Sequence, residues 1–385
     1  MNNFFKKLFL YEDEETPYSF DITSSTIANN NVFNQEIVSD LPNKSISSKL
    51  EENITFLTVK YNALINSDII FRNFVFNFNG KSYNAVFIGI DGMINSSLVN
   101  DFLLRPLMSN SNKKPKAIEL KGNVKIKKQY KYSLEDYLFN KLIPQNSIKK
   151  EKDFESAISA INMGNCILLV DTVNVAFNID VKGYQTRSIS TPKNEVVVRG
   201  SQEGFVEKLR DNTSILRRLV NNENLIIENT NVGTISKTNV AICYMKNITN
   251  DSLVNEVKHR INNLNVDYVI SSGQLEQLIQ DNSNIAFPQL IATERPDKAT
   301  NHLLEGRVVV IINGSPYALV MPAVFVDFLS SPEDLNLKHQ YSNLLRFIRV
   351  IAAFITLLLP RIICCSFYLP RRTTSNRAFI YNSRC

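Results

Sequence analysis

The stretch FPQLIATERPDKATNHLLEGRVVVIINGSPYALVMPAVF, residues 287–325, predicts a short helix that leads into a β-hairpin. Pro296 suits the first position of a helix, where its missing N–H removes no hydrogen bond, and Gly306 suits the position just after the last turn. The predicted hairpin consists of Val308–Ile312 and residues 317–321, joined at the tight-turn pair Asn313-Gly314. Helices next to hairpins recur along the rest of the chain, so we expect an α/β fold.

The start of this helix carries a group of balanced charge. Its members are Glu294, Arg295, Pro296, Asp297 and Lys298. Nothing in this pattern is typical of catalysis. We interpret it as a capping and salt-bridge cluster that fixes a loop.

A second charged group surrounds a helix that we expect over residues 202–220. Ser201 suits the helix cap, and Glu203 complements the helix dipole. The group consists of Glu195, Arg199, Glu203, Arg217 and Arg218. A helix start with an arginine beside it is suited to an anionic ligand. A network at a subdomain interface is the alternative, and the sequence leaves both open.

Several segments together resemble one known family. Residues 293–325 are similar to the family's TERPDK…LLEGR…DGxPxxLxxPxxF signature, and PKNEVVVRGSQEGF at residues 192–205 is similar to its EPxxExxxRGPREGF box, with Ser201-Gln202 where Pro-Arg is usual. Further matching segments are NSDIIFR at 66–72, IDG at 90–92, LRPLM at 104–108, and Asn212 with Arg217 and Arg218. In this order, over residues 46–360, they resemble the A-subunit family of spore germination proteins, the GerA-type nutrient receptors.

The resemblance implies a non-enzymatic signalling subunit of a germinant receptor, without a cofactor. It implies a place in the spore inner membrane, a transporter-like B subunit and a lipoprotein C subunit as partners, and homo-oligomers that help to open an ion path. The motif residues to which it gives a signalling or structural role are Glu195, Arg199, Gly200, Glu203, Gly204, Arg217, Arg218, Glu294, Arg295, Pro296, Asp297, Glu305, Gly306 and Arg307.

Composition excludes several other classes of protein. The formal charge is only +6 over 385 residues, and apart from residues 121–131 and the C-terminal end no basic stripe occurs, so we expect no nucleic-acid partner. The five cysteines and three histidines have neither zinc-site nor disulfide spacing. No phosphate-cradling glycine loop, HExxH or GxSxG is present, and we therefore expect neither catalysis nor a bound metal.

We expect a soluble region of two mixed α/β subdomains, followed by the start of a transmembrane helical region. The expected bounds are a polar tail at 1–45, subdomains at 46–150 and 151–335, a marginal transmembrane segment at 340–370 and an aberrant polar tail at 371–385. The lysine-rich residues 149–152 mark the boundary between the subdomains. No internal repeat is visible, and we expect mixed sheets rather than one parallel sheet.

The pattern of apolar residues predicts the remaining elements. Helices are expected from about residue 46 and over 95–108, 133–142, 153–161, 252–264 and 273–281. Strands are expected over 71–78, 82–91, 166–171, 175–181, 195–199, 225–228 and 239–245.

The composition of the chain changes after Ser331, where polar residues give way to an apolar segment. Residues 350–359 carry no charge, but Pro360-Arg361 interrupts the apolar run, and an arginine inside a span costs about 2.5 kcal/mol or more. Lys338, Arg346 and Arg349 precede the run, and the N-terminus lacks a signal-peptide pattern. We therefore expect the soluble region on the cytoplasmic side, which is the core side in a spore.

Agreement with the family pattern is expected to stop near Pro360, and our hypothesis is that a frameshift or sequencing error produced the residues beyond it. Two alternatives to the receptor subunit remain open. One is a soluble remnant of such a subunit without receptor activity, and the other is a cytosolic α/β enzyme.

Overall fold

The computed structural model describes residues 45–78, 80–109, 133–183, 192, 194–195, 197, 200–281, 288–329, 331, 334 and 338–368. Its strands form two five-stranded sheets, and every strand pair in them is antiparallel. The expected α/β class is confirmed. The expectation of mixed sheets is wrong, because neighbouring strands in both sheets run in opposite directions even where a helix lies between them in sequence.

The first sheet has the strand order β1-β2-β4-β5-β3. Its strands are β1 Ile69–Phe78, β2 Lys81–Ile90, β3 Ile148–Glu151, β4 Cys166–Val170 and β5 Ala176–Ile179. Its helices are α1 Leu50–Lys60, α2 Ser96–Val99, α3 Arg105–Ser109, α4 Leu134–Tyr137 and α5 Phe154–Asn162. A π-helical turn, Asn100–Leu104, connects α2 to α3, and another, Leu138–Leu142, follows α4. Strand β4 is buried on both faces, which explains its unbroken apolar sequence CILLV.

The second sheet has the order β6-β7-β9-β10-β8. Its strands are β6 Leu225–Val232, β7 Thr238–Met245, β8 Ile291–Thr293, β9 Val308–Ile312 and β10 Ala318–Met321. Its helices are α6 Leu209–Leu219, α7 Asp251–Asn262, α8 Ser272–Ile279 and α9 Pro296–Leu304.

The two sheets repeat one arrangement, although no repeat is visible in the sequence. Each half runs through a helix, a hairpin, further helices, an edge strand, a helix and a second hairpin, and the strand orders correspond one to one. In each half the first helix and the helix before the last hairpin pack on one face of the sheet, α1 with α5 and α6 with α9. The remaining helices cover the other face. The repeat lies in the order of elements, not in the residues themselves.

The predicted subdomain boundary at residues 149–152 is wrong. These residues lie in and next to β3, and Ile148 is paired with Ile179 in β5. Strand β4 pairs with β2 across the same boundary. The first sheet therefore continues beyond the lysines. The predicted tail at 1–45 lies outside the described residues except for Ser45, and the predicted tail at 371–385 and the basic run 121–131 lie outside them entirely.

The long helix expected over 202–220 is confirmed only as α6. Asn212 binds the backbone of Val206 from both sides, accepting from its N–H at 2.8 Å and donating to its carbonyl at 2.6 Å. The Phe205 N–H donates to the carbonyl of Glu294 at 2.8 Å. These bonds replace helical ones before α6 begins. Ser201 accepts from the N–H of Glu203 and caps no helix.

The strand expected over 195–199 is not found at Glu195 and Val197, and its other residues lie outside the described part. The helix and hairpin predicted within residues 287–325 agree better with the structure. Helix α9 begins at Pro296, Gly306 follows it with φ +88°, and β9 pairs with β10. Because Ile311 is opposite Ala318, the connection is longer than the two-residue turn that Asn313-Gly314 predicts.

The chain from Val324 onward belongs to a separate unit. It contains a 3₁₀-helix, Phe325–Leu329, and the long helix α10, His339–Tyr368, which continues through Pro360. Within the described residues, the part of α10 over Gln340–Ile363 is long and apolar enough to cross a membrane, with a mean hydropathy of 1.8.

Candidate functional site

The charged residues at the start of α9 form a closed network, which we call the α9 cluster: Glu195, Thr293, Glu294, Arg295, Asp297 and Lys298. Arg295 is fully buried and holds Asp297 with two hydrogen bonds, Nε–Oδ1 at 3.1 Å and Nη2–Oδ2 at 2.6 Å. Two further N–H groups of Arg295 donate to the carbonyls of Glu195 and Ser201, both at 3.2 Å. A buried guanidinium needs such partners, and here they tie the segment before α6 to α9.

The two glutamates of the α9 cluster join the same two segments, because Glu195 contacts the start of α9 and Glu294 contacts Asn194. Glu195 pairs with Lys298 at 2.9 Å and accepts from the Thr293 hydroxyl and the Glu294 N–H. Glu294 accepts from the N–H and the side-chain amide of Asn194, at 3.2 and 2.7 Å. A hydrogen bond to the Glu294 carboxylate raises the pKa of the Tyr317 hydroxyl. The geometry therefore agrees with the loop-fixing interpretation. The N-cap residue Arg295 makes no side-chain cap bond, but Asp297 accepts from the N–H of Lys298 at 2.8 Å in the first turn of α9.

The end of α9 carries the remaining motif residues. Glu305 lies 3.0 Å from Nδ1 of His302 and 3.2 Å from Nη2 of Arg307. Arg307 also donates to the carbonyl of Pro322 at 3.2 Å. Gly306 allows the left-handed backbone between them, which an L side chain disfavours.

A second buried site joins the two halves, and we call it the Arg217 network: Asn66, Asp68 and Arg217. Arg217 in α6 binds Asp68 through Nε–Oδ2 at 3.0 Å and Nη2–Oδ1 at 2.8 Å. The side chains of this pair are 1% and 2% exposed. Arg217 also donates to the side-chain oxygen of Asn66 and the carbonyl of Asn222, both at 3.3 Å. The arginine of one half is thus neutralised by the acid of the other.

The residues just before β1 also bind the edge strand of the second sheet. Asn66 accepts from the N–H of Ile227 at 3.2 Å and donates to the carbonyl of Leu225 at 3.3 Å. The Ser67 N–H donates to the carbonyl of Ile227 at 2.9 Å. This loop therefore pairs with β6 almost as a further strand would. Sequence reasoning did not single out Asn66 and Asp68 as site residues, although both lie in the NSDIIFR segment.

The structure divides the predicted Glu195–Arg199–Glu203–Arg217–Arg218 group among separate sites. Glu195 belongs to the α9 cluster and Arg217 to the Arg217 network, while Arg218 pairs with Glu203 at 2.5 Å near the surface. Arg199 lies outside the described residues. The same motif segment, residues 192–205, contains two glycines: Gly204 is buried, and Gly200 has φ +145°.

The chemistry of these sites is that of positioning. No cluster of three or more potential metal ligands occurs among the described residues. Burial raises the pKa of the Cys243 thiol to about 12 and that of Cys166 still further, so neither forms a thiolate near neutral pH. Each charged group in the α9 cluster and the Arg217 network has a partner of opposite charge or a polar partner, an arrangement that fixes segments relative to one another.

Two repeated antiparallel halves, joined by a buried ion pair, define a two-sheet α/β protein, and within the part of the chain that the structure describes they are followed by one helix that could cross a membrane. The chain belongs to the family described as Bacillus/Clostridium GerA spore germination protein, whose model matches residues 56–368. The resemblance inferred from the motifs is thereby confirmed. The match extends beyond Pro360, where we expected it to stop.

Several relatives and one solved structure support this assignment. The chain is 31% identical over 317 residues to spore germination protein KA of Bacillus subtilis, covering 82% of this chain and 55% of the relative. It is 33% identical over 316 residues to spore germination protein B1 of the same species, covering 82% and 61%. The chain thus spans little more than half the length of these relatives.

One solved structure that the chain resembles is the N-terminal domain of the A subunit of the Bacillus megaterium spore germinant receptor GerK3. It is 26% identical, with a TM-score of 0.50, and the match covers 73% of this chain and 97% of that domain. The fold and a germination-related family are therefore shown together.

Proposed function

We propose that the chain acts as the A subunit of a spore nutrient germinant receptor, as a non-enzymatic signalling component. The observation that carries this proposal is a family match that runs through both sheets and into α10. In this proposal the subunit assembles with a transporter-like B subunit, a lipoprotein C subunit and copies of itself, and the assembly helps to release ions when a nutrient is present.

The proposed place is the spore inner membrane, with α10 as a span and the two sheets on the cytoplasmic side. Supporting this orientation, Lys338, Arg346 and Arg349 lie before the uncharged run 350–359, and basic residues favour the cytoplasmic face.

The proposed role of the motif residues is to transmit a change between segments. A relay needs packed elements with fixed contacts, since loosely held segments move independently. The α9 cluster ties the segment before α6 to the start of α9, and α6 also carries Arg217, which joins the halves. A movement at either site therefore reaches the other through α6.

Spore germination tests the proposal directly. Glu294→Ala removes the acceptor of both Asn194 hydrogen bonds, so we expect spores of this variant to germinate several-fold more slowly. The measurement is the fall in optical density after addition of amino acids or sugars, with protein level checked by immunoblot. Glu52→Ala is the matched control, because Glu52 lies on the exposed side of α1 and pairs only locally with Ser47 and Lys49.

Two results would contradict the proposal at different levels. Unchanged germination of Glu294→Ala spores at normal protein level would exclude a relay role for the α9 cluster. A strain lacking the whole chain that germinates at the ordinary rate on every nutrient tried would exclude the receptor function.

A further inference from the structure

The segment just before α10 exposes a group of large apolar side chains. These are Val324 at 50%, Phe325 at 56%, Val326 at 64% and Phe328 at 45% exposure. The acidic residue among them is used within the turn, since Asp327 accepts from the N–H of Val324 at 2.7 Å and returns its own N–H to the Val324 carbonyl at 2.8 Å. Several large apolar side chains exposed within five residues of sequence are typical of an interaction surface.

A buried carboxylate fixes this segment to α10. Asp334, whose side chain is fully buried, pairs with Arg349 through two bonds of 2.7 and 2.8 Å and with Arg346 at 3.3 Å. Arg349 also donates to the carbonyl of Leu329 at 3.1 Å. The Arg349 hydrogen bonds lower the pKa of Asp334 to about 2, so the carboxylate is ionised at neutral pH.

The position of Arg349 sets the level of the 3₁₀-helix relative to the apolar part of α10. Arg349 lies within the candidate span Gln340–Ile363 and directly precedes its uncharged run 350–359, so the uninterrupted apolar part of α10 begins after this arginine. Arginines that flank a membrane span place their charged groups in the interface. Because Leu329 is bonded to Arg349, the 3₁₀-helix lies beside the point at which α10 would enter the membrane.

We propose that the 3₁₀-helix Phe325–Leu329 is an interfacial anchor, which inserts Val324, Phe325, Val326 and Phe328 into the headgroup region of the bilayer that α10 crosses. This inference rests on the membrane location proposed above. Lipid is the occupant because the patch lies beside Arg349, at the start of the uncharged run 350–359, and only 6% of the candidate span of α10 is buried. Two aromatic rings beside a span are typical of an interfacial element.

The chain contains no tryptophan, so a single introduced tryptophan reports one position only. Three variants of the full chain are compared: Phe328→Trp in the 3₁₀-helix, Phe354→Trp in α10, and Ile235→Trp, which replaces an 81% exposed residue between β6 and β7. Each is reconstituted in vesicles of phosphatidylethanolamine and phosphatidylglycerol that contain lipids brominated either just below the headgroups or near the bilayer centre.

We expect shallow bromines to quench the Phe328→Trp emission about twofold and deep bromines to quench it less, because interfacial elements lie about 5–10 Å into the headgroup boundary. Deep bromines should quench Phe354→Trp, and neither lipid should quench Ile235→Trp.

If Phe354→Trp is quenched and Phe328→Trp is not, the anchor is wrong and the membrane location stands. A blue-shifted but unquenched Phe328→Trp identifies a protein occupant, such as a second copy, and also overturns the anchor. If all three variants are unquenched, the proposed membrane location fails with it.

Discussion

Arg217 and Arg218 are adjacent in the sequence, yet their environments differ completely. Arg217 is 1% exposed and bonded to Asp68, whereas the Arg218 side chain is 34% exposed and pairs with Glu203 at the surface. Breaking a buried ion pair leaves an uncompensated charge, while a surface pair contributes little. Residues of one type in one motif therefore carry different energetic weight.

At this scale we predict that Arg217→Met lowers the free energy of unfolding by about 3–5 kcal/mol, because Asp68 loses its buried partner. Arg218→Met, with the same change in side chain, should lower it by no more than about 1 kcal/mol. Urea unfolding of the detergent-solubilised chain, followed by circular dichroism, measures both. Equal losses in the two variants would show that the Arg217 network does not hold the halves together.

Helix ends in this protein depend on tertiary partners as much as on local signals. Helix α9 has the expected Pro296 at its start and Gly306 at its end, and both are visible in the sequence. Helix α6, in contrast, starts at Leu209 because Asn212 binds the backbone of Val206. Asn212 is itself in the helix, so the pattern of apolar residues does not predict that the helix begins at Leu209 rather than at residue 202.

Gly306 and Gly273 give a matched pair at the level of the element. A Cβ on Gly306, at φ +88°, would lie 3.0 Å from the carbonyl oxygen of Ile248, so Gly306→Ala should destabilise the protein by about 1–3 kcal/mol. A Cβ on Gly273 in α8 meets nothing within 4 Å, and Gly273→Ala should be neutral or stabilise by up to about 1 kcal/mol. Thermal unfolding distinguishes them. A Gly306→Ala variant as stable as the parent would contradict the left-handed helix end.

On the scale of the whole molecule, the two halves are complete only when strands distant in sequence come together. Strand β3 needs β5, and β2 needs β4, so the first sheet extends from Ile69 to Ile179. Among the described residues, no member of the four apolar clusters comes after Ala323 in the sequence. We therefore expect the cores of both sheets to form without α10.

We predict that the fragment 45–323 is soluble and unfolds cooperatively, since it contains both sheets and the Arg217 network. The fragment 45–152, cut at the boundary that the lysines suggested, should be insoluble or unfolded because it lacks β4 and β5. Size-exclusion chromatography and circular dichroism compare the two. A folded 45–152 fragment would restore the boundary that we have corrected.

The sequence alone determined the family, the α/β class, most helices and strands, and the ends of α9, because these depend on short motifs, apolar periodicity and the special backbone preferences of proline and glycine. Only the tertiary structure decided that both sheets are antiparallel, that the halves repeat one topology, and that Arg217 is paired with Asp68 across 149 positions of sequence. The physical reason is that strand neighbours and partners of buried charges are chosen by packing between distant segments. A local sequence pattern therefore does not predict which strands are neighbours or which residue pairs with a buried charge.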